Sequence, residues 1–305
     1  MRCCSRRACV LSAKINPMTS VYELPFPLFR RVKPLFDTAW FDESCYEAVY
    51  AGWQPGRVFA DNPDTPTAAM ICHSYEFFVA SAVDTPLRAF LKDAPAEADV
   101  FERFYGYAPV GDAWKNALLS DQPLGIVERM NFRWISGTPI PEWRSLPTDA
   151  RIVPIDRALA ERIDTHSFLP FIRMFWSDYD RYEAHGFGYA LMVGDEVAST
   201  IFAIATSHRD ALISVDTEEK YRRRSFAALV GARFIEHCLA HDLLPVWDTD
   251  RDNVPSANLA HKLGFAEAQP FVEMAFPDRA KPAMTQGVWM RGDSRADGVI
   301  EWRRS

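Results

Sequence analysis

The sequence lacks a net positive charge, a long uninterrupted apolar run and any pair of cysteines at metal-binding spacing. Its 305 residues carry a formal net charge of −7, whereas general nucleic-acid binders usually present a basic surface over a whole domain. No window holds the roughly 18 to 20 apolar residues that a membrane-spanning helix needs. The sequence therefore argues against nucleic acid and membrane as partners, and it predicts a soluble protein of the cytoplasm.

The six cysteines predict neither a disulfide framework nor a zinc site. Cys45, Cys72 and Cys238 are scattered without C-x-x-C spacing or a histidine partner, and the other three crowd the first nine residues. We therefore expect no bound metal. The basic segment at residues 1–17 has an apolar stretch shorter than the hydrophobic region of a signal peptide, so we interpret it as an extension.

The length favours two domains. Residues 136–150 are rich in Pro, Ser, Thr and Gly, which is the composition of a linker. This places an α/β N-terminal domain at residues 18–135 and a second domain at residues 151–276. Residues 277–305 form a polar C-terminal tail, and residues 1–17 precede the first domain.

The N-terminal domain carries no motif of known chemistry. Its apolar and aromatic pattern predicts a helix over about residues 34–50, strands over 56–60 and 68–80, and a helix over 87–121.

The second domain shows a regular α+β order. Gly194-Asp195 between two apolar runs is a hairpin signal, and apolar residues recur at helical spacing from Phe226 to Cys238. Pro255 and Gly264 bracket a short helix. The predicted strands are 151–154, 189–193, 197–205, 211–215, 243–247 and 271–276, and the other predicted helices are 156–164, 169–184 and 226–239.

The segment most suggestive of chemistry is the loop from Asp216 to Arg224, between the strand at 211–215 and the helix that begins near Ser225. A helix N-terminus offers unpaired N–H groups and the positive end of the helix dipole, which suit a phosphate or pyrophosphate. Four cations in the five residues from Lys220 to Arg224 strengthen this interpretation. A solvated surface loop is the alternative.

Two motifs in this region resemble the GNAT superfamily of acyl-CoA N-acyltransferases. The coenzyme signature of that family, Gln/Arg-x-x-Gly-x-Gly/Ala, is matched by Arg222, Arg223, Arg224, Ser225, Phe226 and Ala227, with serine in place of the first glycine. About thirty residues later, the stretch from Asn253 to Phe265 resembles the Asn-x-x-(Ala/Ser)…Gly-Phe ending of the family. Either motif alone is weak evidence, and the two in this order are much stronger.

The resemblance covers about residues 20–276 and implies a GNAT fold, which is a mixed, mostly antiparallel central sheet flanked by helices. It points to a branch in which the catalytic domain follows a degenerate N-terminal domain. That domain would be an additional α/β unit or a degenerate GNAT-like repeat. The branch includes proteins that acetylate small amine antibiotics.

The resemblance also implies an enzyme that moves an acetyl group from acetyl-CoA to a primary amine by direct attack in a ternary complex. The thioester would lie where two central strands splay apart. The backbone of Val215, Asp216 and Thr217 would polarise its carbonyl and pair with pantetheine, while Asn253 and Ser256 would face the pantetheine and phosphate arm.

The general base has three candidates in the sequence. The family's strand glutamate falls near apolar residues here, so Asp210, at the mouth of the strand, is the first choice. Asp248, directly after the next strand, is the second, and His208 is the third; solvated or turn-capping roles compete for all three. The family's acid, a tyrosine, aligns with Ala260, so the general acid stays unassigned.

Two other functions compete with a small-molecule N-acetyltransferase. Serine at position 225 and the missing tyrosine and strand glutamate fit a CoA-binding pseudoenzyme or regulatory protein that no longer transfers acyl groups. A protein acetyltransferase would need an open acidic groove for basic peptides. The acceptor, the acyl chain length and the oligomeric state are not specified by the sequence.

Overall fold

The fold is known from a computed structural model, which describes residues 14–15, 21–36, 43–73, 76–93, 103–107, 110–121, 124–166, 170–275, 290–294 and 299–303. The predicted extension and polar tail lie outside the described residues, apart from short strands in each. No helix in this described part is long and apolar enough to cross a bilayer. Its His, Cys, Asp and Glu side chains likewise form no group of three or more suited to a metal ion.

Helices and strands are mixed along the described chain, with runs of two or three elements of the same type. Two short 3-10 helices occur at Phe26–Val32 and Glu219–Tyr221. The α-helices are α1 Lys33–Phe36, α2 Glu43–Ala51, α3 Pro86–Asp93, α4 Val110–Asp121, α5 Arg157–His166, α6 Phe171–Trp176, α7 Tyr179–His185, α8 Phe226–Ala240 and α9 Val254–Lys262. The strands are β1 Lys14–Ile15, β2 Tyr22–Leu24, β3 Gly56–Ala60, β4 Ala69–His73, β5 Glu76–Ala80, β6 Arg103–Tyr107, β7 Leu124–Trp134, β8 Ala150–Pro154, β9 Gly188–Val193, β10 Glu196–Thr206, β11 Asp210–Thr217, β12 Leu244–Asp250, β13 Phe265–Ala275, β14 Met290–Ser294 and β15 Val299–Arg303.

The described strands all belong to one mixed sheet, in the order β1-β2-β3-β4-β5-β6-β13-β7-β12-β11-β10-β9-β8, with β15 joining β7 and β14. Most neighbours are antiparallel, and the parallel pairs are β5 with β6, β11 with β12 and β7 with β15. This architecture confirms the predicted α+β class with a mostly antiparallel central sheet flanked by helices.

The two faces of the sheet around β11 and β12 are covered by different helices. On one face, α8 contributes Val230 and Phe234 to a buried cluster that also holds Trp247 of β12. On the other face, Tyr46 and Val49 of α2 share a buried cluster with β-strand residues that include Leu212 and Val246. The N-terminal helix α2 therefore packs on β11, one of the two strands that form the predicted site, and on its neighbour β10.

β13 links the N-terminal and C-terminal parts of the sheet. It pairs with β6 along one edge and with β7 along the other, both antiparallel. The sheet thus runs without interruption through both predicted domains, and the division between them stays a prediction. Residues 136–149 contain no helix or strand, but Trp143 packs against the α8 core and lies beneath the guanidinium of Arg233, 5.3 Å from its ring centre.

Several predicted elements need correction. The helix predicted over residues 169–184 is two helices, α6 and α7, and the strand predicted over residues 68–80 is the antiparallel pair β4 and β5. The helix predicted over residues 87–121 is α3 and α4 separated by β6, whose aromatic sequence RFYGY favours a strand over a helix. The last predicted strand begins at Phe265 instead of Phe271, because its first residues pair with the end of β7 ahead of a register shift between Glu267 and Gln269. The strand β7 itself was not predicted.

Candidate active site

The parallel strands β11 and β12 pair over only part of their length. Their ladder joins Asp210–Leu212 to Leu244–Val246. Beyond it, β11 continues to Thr217 against β10, and β12 continues to Asp250 against β7. Each strand is thus held by its outer neighbour, while the two inner edges bound a wedge-shaped opening that we call the splay. Backbone N–H and C=O groups along these edges can pair with a ligand strand or chain.

The splay leads toward the N-terminus of α8, a helix of 15 residues. Ser225, the residue before the helix, is left-handed, with φ 63° and ψ 11°, and its side chain makes no capping hydrogen bond. Arg223 is also left-handed, at φ 61°. The first N–H groups of an α-helix have no partner within the helix. They therefore remain available to an anion at this end.

Four cations surround this helix end without a carboxylate partner in the described part of the chain. Arg222, Arg223 and Arg224 are exposed, and Arg222 donates through Nε to the Thr217 carbonyl oxygen at 3.2 Å. Lys262 of α9 donates through Nζ to Ser225 Oγ at 3.4 Å. Lys220 differs, because it is paired with Glu196 at 2.5 Å. The positive charge of the three arginines and Lys262 is therefore available for a phosphate-bearing ligand.

Ser225 occupies a backbone conformation that favours glycine, so Ser225→Gly is expected to raise the free energy of unfolding by about 0.5–1 kcal/mol. Thermal or urea unfolding measures the change. Ala227→Gly, in the first turn of the same helix, is the matched control and is expected to lower stability by about 0.5–1 kcal/mol. Equal destabilisation by both substitutions would contradict the assignment of strain to Ser225.

Asp210 begins β11, in the ladder pair farthest from the splay, and is only 3% exposed. Ser207 Oγ donates to Asp210 Oδ1 at 2.6 Å, and the Asp210 amide donates back to Ser207 Oγ at 3.0 Å. Burial raises the pKa of the Asp210 carboxyl, partly opposed by the Ser207 hydrogen bond, while nearby Glu43 raises it further. A buried carboxyl with a raised pKa has the properties of a general base.

Asp248 and His208 have surroundings that suit a base less well. Arg129 of β7 donates to Asp248 at very short range, and it also binds Asp250 at 2.7 Å and Glu273 at 3.0 Å. The Asp248 carboxylate is thus engaged in a buried ion-pair network on the flank of the splay. His208 is exposed in the turn before β11, with its ring packed edge-on against Trp53 at 4.9 Å.

The residues predicted to contact pantetheine divide into two groups. Val215, Asp216 and Thr217 lie on β11 beyond the ladder with β12, so their backbone belongs to the splay. Asn253 instead caps α9 by accepting from the Ser256 amide at 3.3 Å. The Ser256 hydroxyl accepts from the Trp247 indole at 3.1 Å. In this structure both polar side chains have local partners, and their contacts with the coenzyme stay a prediction.

Sequence reasoning missed the contribution of the N-terminal segment. Glu43 and Tyr46 of α2 line a cavity of about 480 Å³ together with Asp210 and Arg209. Arg133 of β7 lines the same cavity and pairs in the ladder opposite Val246. No short motif marks these residues, because the sheet brings them together from distant parts of the chain.

Comparisons with known proteins agree with this geometry. A profile of the GNAT acetyltransferase family matches residues 33–273. The sequence is 27% identical over 258 residues to YdfB, an uncharacterized N-acetyltransferase of Bacillus subtilis strain 168, and the match covers 81% of this chain and 95% of the relative.

Solved structures of low sequence identity share the fold. A GCN5-related N-acetyltransferase-like protein from Streptococcus suis 89/1591 is 22% identical, with a TM-score of 0.67 over 82% of this chain and 98% of that one. A tandem GNAT protein from the clavulanic acid biosynthesis pathway is 11% identical, with a TM-score of 0.56 over 86% of this chain and 99% of that one. The predicted GNAT fold is thereby confirmed.

Proposed function

Since this chain belongs to the GNAT acetyltransferase family and is an acyltransferase, we propose that it transfers the acetyl group of acetyl-CoA to the primary amine of a small molecule. The observation that carries the proposal is the alignment of the splay with a helix N-terminus whose surrounding cations have no carboxylate partner among the described residues. That alignment suits a long ligand with an anionic end and an apolar, amide-bearing arm.

Two parts of the site would bind different parts of the coenzyme. The pyrophosphate would lie on the N–H groups that open α8, with Arg222 and Arg224 supplying charge-assisted hydrogen bonds. The pantetheine arm would enter the splay, where the edge of β11 from Val215 to Thr217 offers backbone donors and acceptors. This arrangement would place the thioester near the last ladder pair, Leu212 and Val246.

Transfer forms a carbon–nitrogen bond and breaks the carbon–sulfur bond of the thioester, and CoA leaves as a thiolate. The protein's part is to hold the two reactants together, to polarise the carbonyl and to accept the amine proton. Asp210 is two residues along β11 from Leu212, or about 7 Å, so it would accept the proton through a water molecule.

The test is calorimetric titration of the protein with acetyl-CoA, repeated with Arg222→Ala and Arg224→Ala combined. Hydrogen bonds to charged groups contribute about 1.5–3 kcal/mol each, so the double variant is expected to bind acetyl-CoA at least about 10-fold more weakly. Thiol release from acetyl-CoA, measured with a panel of primary amines, then tests for transfer.

The matched control is Arg151→Ala combined with Arg157→Ala. It removes the same charge from exposed positions that belong to β8 and α5. Because salt screens long-range charge, the affinity of this variant for acetyl-CoA should stay within about 2-fold of that of the unaltered protein. Absence of acetyl-CoA binding in the unaltered protein would refute the proposal. Binding without thiol release for any amine would favour the non-catalytic CoA-binding alternative.

A further inference from the structure

We propose that the cavity between α2 and the first ladder pair of β11 and β12 binds an acceptor that carries both a primary amine and a carboxylate, such as a free α-amino acid with an apolar side chain. The inference rests on the proposed function and adds the chemical class of the acceptor. It is carried by the arrangement of charges and aromatic rings around the cavity.

The cavity has the size and position of an acceptor site. Its volume of about 480 Å³ lies within the range of about 300–1,000 Å³ that is typical of small-ligand pockets. It is bounded by the first residues of the two splayed strands, Asp210 and Leu244, and by α2 from the N-terminal segment. A ligand held there would lie at the first ladder pair, two residues or about 7 Å along β11 from the last ladder pair before the splay.

Charges of both signs line the cavity, and Glu43 and Arg209 form a long ion pair there. Glu43 Oε2 and the Arg209 guanidinium are 3.8 Å apart, which is beyond hydrogen-bond distance. The Arg209 side chain is 73% exposed and that of Glu43 is 32% exposed. A ligand with an ammonium and a carboxylate can bind both groups at once, whereas an amine without a carboxylate can bind the carboxylates of the cavity but not Arg209.

A second pair of opposite charges lies beside the ladder of β11 and β12. The Asp210 carboxyl and the Arg133 guanidinium both line the cavity and interact electrostatically. The Ser44 hydroxyl lies close enough to Asp210 to lower the pKa of that carboxyl, yet it makes no hydrogen bond of normal length in the described part of the chain. The amine would therefore point toward Asp210, where its proton can be accepted, and the carboxylate toward an arginine.

The remaining wall is aromatic. Tyr46, Tyr50 and Phe36 line the cavity beside the charged groups, and Tyr46 is fixed by ring contacts with Phe36 at 5.0 Å and Phe78 at 5.0 Å. Rings held in this way offer a rigid apolar surface to a ligand side chain. Contact with this aromatic wall would favour an amino acid with an apolar side chain over a highly charged polyamine.

The test is calorimetric binding of three probes that share one side chain: free phenylalanine, its carboxamide and phenethylamine. We expect the free amino acid to bind at least about 10-fold more tightly than the other two. Arg209→Gln should reduce this preference to about 3-fold or less by removing one carboxylate partner. The control is Arg251→Gln, an exposed arginine paired with Glu128, which should keep the full preference.

Equal or tighter binding of phenethylamine, or no binding of any probe at millimolar concentration, would overturn the inference. Thiol release from acetyl-CoA is measured separately with each probe. If the free amino acid binds selectively but releases no thiol, the acceptor-site chemistry stands and the proposed transfer fails. If phenethylamine is acetylated as fast as the amino acid, transfer stands and the inference about the carboxylate fails.

Discussion

Replacing Arg129 by methionine is expected to lower the free energy of unfolding by about 3–5 kcal/mol, because it leaves buried carboxylates without their cation. Arg129 is 14% exposed at its side chain and binds Asp248, Asp250 and Glu273, of which the last two are 5% and 1% exposed. Methionine has a similar length and can fill the same volume. The expected loss therefore reflects charge more than packing.

Urea unfolding at neutral pH measures this loss. Arg251→Met is the matched control, because Arg251 is 60% exposed and its ion pair with Glu128 is at the surface; surface ion pairs contribute about 0–1 kcal/mol. A loss below about 1 kcal/mol for Arg129→Met would mean that the three carboxylates are stabilised by other groups. We also expect the Arg129 variant to lose acetyl transfer, since Asp248 borders the splay.

Asp210→Asn is expected to lower kcat by about 100-fold or more, which is the usual contribution of a general base. The asparagine carbonyl can still accept the hydrogen bond from Ser207, so the turn before β11 should keep its structure. Asp248→Asn serves as the comparison within the same site. A larger loss for Asp248→Asn than for Asp210→Asn would reverse the assignment of the base.

The pH dependence of activity gives an independent measure of the same group. Burial raises the pKa of the Asp210 carboxyl, and only the ionised form can accept a proton. The kcat of the unaltered protein should therefore rise with pH through an apparent pKa above the ordinary Asp value of about 3.9. This rise should be absent in Asp210→Asn.

The free energy of unfolding should change with pH in the direction opposite to that of kcat. A carboxyl with a higher pKa in the folded state than in the unfolded state destabilises the fold as pH rises from the unfolded value through the folded one. Asparagine carries no such charge. Asp210→Asn should therefore be at least as stable as the unaltered protein at neutral pH, which separates the loss of activity from any loss of structure.

The part of the site that the sequence predicted is the part formed by local chemistry. The loop and the helix α8 follow from the cations at Arg222 to Arg224 and from the apolar period that begins at Phe226. The short helix α9 follows from its bounding Pro255 and Gly264. Each of these signals lies within a few residues of the element it predicts.

The rest of the site depends on pairing between distant segments. Arg129 meets Asp248 and Asp250 only because β7 lies beside β12, and Glu43 reaches Asp210 only because α2 packs on β11. Contacts between distant segments produce no periodic pattern and no characteristic residue spacing in a single sequence. The prediction of one helix over residues 87–121 disregards the strand preference of the aromatic sequence in β6.

The position of β13 also constrains how the protein can be synthesised. β6 and β7 are made early, but the strand that lies between them is among the last described segments to leave the ribosome. Until then, both strands have an exposed edge that can pair with another chain. Assembly of the sheet must therefore wait for the synthesis of β13, and the nascent chain should depend on chaperones more than a protein with mostly local contacts does.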